Sequence, residues 1–229
     1  MDGIIVERSA LDVFEQMALD EALARSRPGA FILRFFRWQG VGATFGYAQR
    51  IREVEQALPP GIGTAYTRRP TGGGIVPHLD DLTFSCVFPA GGVLRPAEIY
   101  RRLHSALLAG LRGAGLEARL AATGGSPAPR GPAGASQCFV QPVELDILTD
   151  AGKILGGAIR RYGETVLYQG SLQVPGARAQ AAELEEAIAR SLGGEWGLAW
   201  ERRGLAAAVQ AEAEALAAKY RSEAWVRRM

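Results

Sequence analysis

Residues 64–88 read TAYTRRPTGGGIVPHLDDLTFSCVF. TAYTRR is rich in β-branched and aromatic side chains and runs into three glycines, while LTFSCVF has alternating, β-branched character. The pair predicts a hairpin around a glycine loop. Upstream, Leu11, Phe14, Met17, Ala18 and Ala22 fall at helical spacing and predict a helix over residues 10–25. FILRFFRW (31–38) and ATFGYAQ (43–49) read as strands. A second helix over 51–58 is stopped by Pro59 and Pro60.

Downstream, Ile99, Leu103, Ala106, Leu107 and Leu111 predict an amphipathic helix over 96–113, and GLEARLAA fits a strand. Residues 123–136, TGGSPAPRGPAGAS, are so dense in Gly, Pro, Ala and Ser that they predict a mobile loop, read as a lid rather than a linker. Strand patterns resume with PVELDIL, KILGGAIRR and TVLYQGSLQV, and the tail from Ala179 predicts two or three helices. Strands and helices mix without strict βαβ alternation. The expectation is therefore an α+β fold, one domain over 1–229 with a mixed sheet flanked by helices.

Composition narrows the function classes. The chain has 229 residues, 48% hydrophobic and 22% charged, with a formal charge of +2. That balance gives no electrostatic footprint for nucleic acid. No run approaches the ~20 apolar residues of a membrane span, so no membrane partner is expected. The acidic N-terminus MDGIIVERSALDVFEQ is no secretory signal, and two cysteines are too few for a disulfide framework in a chain of this length. A cytoplasmic location is the expectation. Of 26 basic residues only Lys153 and Lys219 are lysines. Against that background a lysine invites a chemical question, because an ammonium is a compact charge that arginine does not replace.

Three constellations carry chemistry. In Arg68-Arg69-Pro70-Thr71-Gly72-Gly73-Gly74, closed by His78, the glycines let the backbone approach a ligand and two arginines supply charge-assisted donors. GGG alone would read as a plain turn; the arginines shift it toward an anion site. It is neither a phosphate-binding GK[ST] loop nor a dinucleotide fingerprint. The second, GKILGGAIRR (152–161), places Lys153 beside small residues, suited to negative charge on an acyl or phosphate oxygen. The third is Cys138, a candidate nucleophile at the edge of the flexible loop, whereas Cys86 reads as a buried hydrophobe. His104 reads as structural. Two histidines and two separated cysteines give no metal-ligand spacing.

Taken in order, ILRFFRW…GYAQ, RRPTGGGIVPHLDDLTFS, CFVQPVELDIL, GKILGGAIRR and QGSL resemble the lipoate-protein ligases and cysteine octanoyltransferases, with MALDEAL and KYRSEAW matching the ends. The resemblance implies the catalytic-domain fold shared with biotin protein ligases. It also implies that Arg69 and Gly72 to Gly74 line an acyl or acyl-adenylate pocket, that Lys153 binds the activated carbonyl region, and that Gly156, Gly157 and Ala158 form the adjoining wall. Two activities follow from it. GGG favours an ATP-dependent ligase, with ATP and Mg²⁺ as cofactors. Cys138, 15 residues before Lys153, favours an octanoyltransferase that needs no cofactor. The ligase stands slightly ahead, and a non-catalytic acyl-binding protein is the third reading. Implied partners are the lipoyl domain of a 2-oxoacid dehydrogenase or a glycine-cleavage protein, and a lipoate or octanoyl donor such as an acyl carrier protein. Leu79 stands where ligases carry an aspartate after the histidine, and there is no room for the accessory domain of larger ligases.

Overall fold

The structure, a computed structural model, describes residues 1–7, 10–90, 95–122, 139 and 142–228. In chain order the elements are β1 (Gly3–Val6), β2 (Ala10–Leu11), α1 (Val13–Arg25), β3 (Phe31–Phe35), β4 (Arg37–Trp38), β5 (Gly42–Phe45), α2 (Ile51–Ala57), β6 (Tyr66–Arg68), β7 (Val76–His78) and β8 (Leu82–Pro89). There follow α3 (Pro96–Gly113), β9 (Arg119–Leu120), β10 (Ile147–Thr149), β11 (Gly152–Tyr162), β12 (Thr165–Leu172), α4 (Ala181–Trp196), β13 (Trp200–Arg203), α5 (Ala207–Arg221) and α6 (Glu223–Val226). The main sheet has eight strands in the order β13-β1-β3-β8-β12-β11-β10-β9. Its first two pairings, β13 with β1 and β1 with β3, are parallel, and the others are antiparallel. This is the mixed-sheet α+β fold expected.

Alternation along the strands decides what each face meets. On β8, Leu82, Phe84, Cys86 and Phe88 join Tyr168 and Leu172 of β12 in the main core, packed with Leu103 and Leu107 of α3 and Ile188 and Leu192 of α4. The other face receives α1, where Val87 and Leu167 meet Leu19 and Leu23. The intervening positions on that face are polar: Thr83, Ser85, Gln169 and Ser171 are all buried. Asp20 of α1 answers them, accepting from Ser85 at 2.7 Å and Gln169 at 2.6 Å, and it pairs with buried Arg34 of β3. Buried polar groups at this density need partners, and each of these finds one.

The hairpin expected around the glycines does not form. β6 pairs parallel with β5 and β7 pairs antiparallel with the same strand, so the loop crosses over β5 in a separate three-stranded sheet, while β8 joins the main sheet. Gly46 makes this crossing possible: a Cβ there would collide with the Gly73 carbonyl, and Gly73 itself has φ of +92°. Other boundaries shift for local reasons. The first helix starts at Val13 because Asp12 caps it, accepting from the Phe14 and Glu15 amides while Glu15 reciprocates. Residues 10 and 11 instead pair with β4, and 31–38 divides at Phe36. The short strand β13, inside the tail read as helical, runs beside β1. The segment 123–136, read as a lid, lies outside the described residues. No helix among the described residues is long and apolar enough to cross a membrane.

His104 sits on α3, fully buried, donating from Nδ1 to the Leu145 carbonyl at 2.8 Å and accepting at Nε2 from the Tyr168 hydroxyl at 2.9 Å. Burial pushes its pKa down to about 3. In the unfolded chain the imidazole takes its proton near pH 6.5. Between those values the unfolded state binds more protons, so stability falls as pH drops below about 6.5. The expected loss attributable to His104 at pH 4 is roughly 3 kcal/mol at ~1.4 kcal/mol per unit. Denaturant titrations of the parent and of His104→Gln between pH 7 and 4 measure it, and parallel curves would refute it.

Candidate active site

A narrow pocket opens between the α1 face of the main sheet and the three-stranded sheet. Met17 of α1, Thr44 of β5, Arg69, Gly73, Val76 and His78 form one side; Gly156, Gly157, Ala158, Thr83, Gln169, Gly170 and Ser171 form the other. The wall is mostly apolar with a few fixed polar groups, the character of a small-molecule site. β10 pairs with β11 only as far as Leu155, so the pocket-lining residues Gly156, Gly157 and Ala158 lie where that side of β11 has no partner strand.

Lys153 comes beside Gly156, a residue of this pocket's wall, through an irregularity. Leu148 lies opposite Lys153 and Ile147 opposite Leu155, so Ile154 is an extra residue, a bulge that re-aims the preceding side chain. The Lys153 ammonium lies 2.8 Å from Asp146 Oδ2, with 4% of its side chain exposed and none of the aspartate's. It passes over the bare Cα of Gly156, where a Cβ would come within 2.5 Å of Nζ. Asp146 also accepts from the Val143 amide at 2.7 Å and the Tyr100 hydroxyl at 3.0 Å. Leu145, which precedes it, has φ of +70°, a strained value for a side-chain-bearing residue. The Phe139 ring is centred 5.1 Å from the same ammonium. Cys138, its neighbour in the chain, lies outside the described residues.

The inner end of the pocket is a polar cluster. His78 Nδ1 is 2.9 Å from Asp81 Oδ2, its Nε2 is 3.0 Å from Thr44 Oγ1, and its ring stacks on Trp38. Burial pushes the Asp81 carboxyl up, but His78 and the hydroxyls of Thr83 and Ser171 more than offset this and hold it below the ordinary carboxylate value.

The motif residues divide. Arg69, Gly73, His78, Gly156, Gly157 and Ala158 line the pocket. Thr71 stands behind it, donating to Gln169 Oε1 at 2.6 Å, and the Gly72 carbonyl accepts from Arg69. Gly74 is buried in the same loop. Arg68 points elsewhere. Buried, it donates to the carbonyls of Tyr47, Gln49, Trp225, Val226 and Arg228, fastening α6 to the small sheet. Its expected place among the anion donors is corrected on that ground: its N–H groups are spent on backbone carbonyls away from the glycine loop.

Sequence reasoning missed Asp146, Tyr100, Thr44, Thr83, Gln169 and Ser171. For Thr83 and Ser171 a signal existed, since polar residues at every second position of otherwise apolar strands mark a polar patch on one face. Asp146, one of two carboxylates in VELDIL, carried no local signal that set it apart from Glu144.

Residues 12–192 match the family described as the lipoyl protein ligase A/B catalytic domain. The chain is 32% identical over 170 residues to an octanoyltransferase LipM of Carboxydothermus hydrogenoformans, covering 70% of this chain and 60% of that protein. It is 33% identical over 178 residues to that of Moorella thermoacetica, covering 73% and 63%. The chain thus spans about 60% of the length of these curated relatives. In fold it matches a lipoate-protein ligase A crystallised with ATP, with a TM-score of 0.79 at 23% identity over 99% of both chains. It also matches the bipartite lipoate protein ligase of Thermoplasma acidophilum, with a TM-score of 0.73 at 23% identity over 99% of this chain and 96% of that one. With the pocket, the glycine loop and the buried lysine in place, the chain belongs to the lipoyl protein ligase A/B catalytic-domain family.

Proposed function

We propose that the chain attaches an octanoyl group to the acceptor lysine of a lipoyl domain, acting as an octanoyltransferase with Cys138 as nucleophile. The observation that carries this is the Lys153 ammonium, held by Asp146 beside Gly156 of the pocket wall and faced by Phe139, the residue after Cys138. A cation so placed favours a thiolate over a thiol and stabilises an oxyanion formed beside it. The likeness to octanoyltransferases moves the weight from the ligase to the transferase.

The chemistry proceeds in two displacements. The Cys138 thiolate attacks the donor thioester carbonyl, the carbonyl oxygen becomes an oxyanion, and the donor's C–S bond breaks to release the carrier thiolate, which takes a proton from solvent. The neutral amine of the acceptor lysine then attacks the Cys138 thioester. A C–N bond forms, the C–S bond breaks, and the amine's proton goes to solvent as the thiolate of Cys138 is regenerated. Lys153 serves both steps as a fixed positive charge, and the pocket holds the hydrocarbon chain away from water.

The ligase reading rests on the glycine loop and would require ATP and Mg²⁺. Asp146 is paired with Lys153 and Asp81 Oδ2 with His78, and among the described residues no three His, Cys, Asp or Glu side chains converge on a site for a resident cation. Incubating the chain and a lipoyl domain with octanoyl carrier protein, and separately with octanoate or lipoate plus Mg·ATP, distinguishes the two by the mass of the acceptor. A mass gain only in the ATP arm would overturn the transferase; none in either would overturn acyl attachment.

A further inference from the structure

Arginine is abundant in this chain, and many of the guanidiniums on its surface are neutralised locally. Arg25, Arg102, Arg119, Arg190, Arg203, Arg221 and Arg227 each lie within 4 Å of a carboxylate. Two differ. Arg160 and Arg228 have no carboxylate partner among the described residues. Both stack on one ring, with the Arg160 Cζ 4.8 Å and the Arg228 Cζ 4.6 Å from the centroid of Tyr47. Arg228 is exposed, and Arg160 and Tyr47 are half-exposed. Arg68 lies just beneath, so three positive charges gather here; burial first and the Arg228 charge second push the Arg68 pKa down.

The position of this cluster gives it a use. Arg160 lies two residues beyond Ala158, a pocket-lining residue on the same strand. It donates to the Pro70 carbonyl at 2.9 Å, while the Tyr47 amide donates to the Thr71 carbonyl at 2.8 Å. The cluster is therefore continuous with the glycine loop and the open edge of β11. Along that strand, Arg160 is about 23 Å from Lys153 at ~3.3 Å per residue. A side chain or an eight-carbon chain does not cover that span, but a folded domain whose lysine enters the pocket does.

We propose that Arg160, Tyr47 and Arg228 form the docking surface for the acceptor domain, and that they recognise carboxylates on the face around its target lysine. This rests on the reading of the chain as an enzyme that acylates a protein lysine. Guanidiniums without a carboxylate partner beside a half-exposed ring suit protein carboxylates, through bidentate charge-assisted bonds and an aromatic contact. Charges of this kind govern encounter and register more than the chemical step.

The test uses the full chain with an unmodified lipoyl domain as probe, and reads binding before turnover. Arg228→Glu should weaken the calorimetric Kd for the lipoyl domain about tenfold or more. Arg228→Lys should stay near the parent, and Arg203→Glu, at the opposite edge of the main sheet, should have no effect. In steady state, Arg228→Glu should raise the KM for the lipoyl domain with kcat and the KM for octanoyl carrier protein unchanged. The rise should shrink as salt screens the parent. An unchanged Kd for Arg228→Glu, or a rise in the KM for the carrier protein, overturns the proposal. Intact, charge-dependent binding without any acylation would instead remove the enzymatic reading and leave the docking surface standing.

Discussion

Replacing Lys153 with alanine is expected to lower octanoyl transfer by about 10²–10³-fold, the loss typical of removing one group that stabilises transition-state charge. The substitution has a structural side, because it strands the Asp146 carboxylate in the interior. Breaking a buried pair by removing one partner costs roughly 3–5 kcal/mol, although here the Val143 amide and the Tyr100 hydroxyl remain on Asp146. A variant pair separates the two effects. Lys153→Met combined with Asp146→Asn removes both charges at similar volume, so stability should return toward the parent while transfer stays low. Gly156→Ala should act in the same direction with the lysine still present, since its Cβ would occupy the path of the Lys153 side chain. Thermal melts and initial rates on the same preparations are the measurement. Near-parental rates in the stabilised double variant would remove Lys153 from the chemistry.

The second large effect is expected at Cys138. A serine there has no accessible ionised form near neutral pH, so Cys138→Ser should reduce transfer from octanoyl carrier protein by at least about 100-fold. It should leave the thermal melt unchanged. In the parent, intact-mass measurement after mixing with octanoyl carrier protein should reveal one octanoyl adduct that hydroxylamine removes and that a lipoyl domain discharges without ATP. In a ligase the phosphoanhydride of ATP activates the carboxylate and no enzyme thioester is required. Retention of most activity in Cys138→Ser, with no adduct in the parent, would return the assignment to the ligase.

These variants act on residues of different legibility. Lys153 and Gly156 stood out in the sequence because a lysine among arginines, followed by two glycines, is a local pattern. The glycine loop and the strand LTFSCVF were legible for the same reason: conformational freedom and side-chain alternation are properties of neighbouring residues. The 96–113 helix was read to its ends, since Pro96 and the apolar stripe from Ile99 to Leu111 are local signals as well.

What the sequence by itself determined was the kind of most segments, the mixed α+β class and the motifs that place the chain beside the lipoate ligases and octanoyltransferases. Partnership was decided only by the tertiary structure. Two strands on either side of a glycine loop look like a hairpin until β5 inserts between β6 and β7 and β8 is taken by the main sheet, where its apolar face meets α3 and α4. Arg68 and Arg69 are adjacent in the chain, yet one fastens the C-terminal helix and the other lines the pocket, because successive residues of a strand point to opposite faces. Asp146 became the partner of Lys153 through a single extra residue at Ile154. Nothing in local sequence encodes which carboxylate a lysine will meet; that depends on the register of two strands, and register is set by what the whole sheet buries.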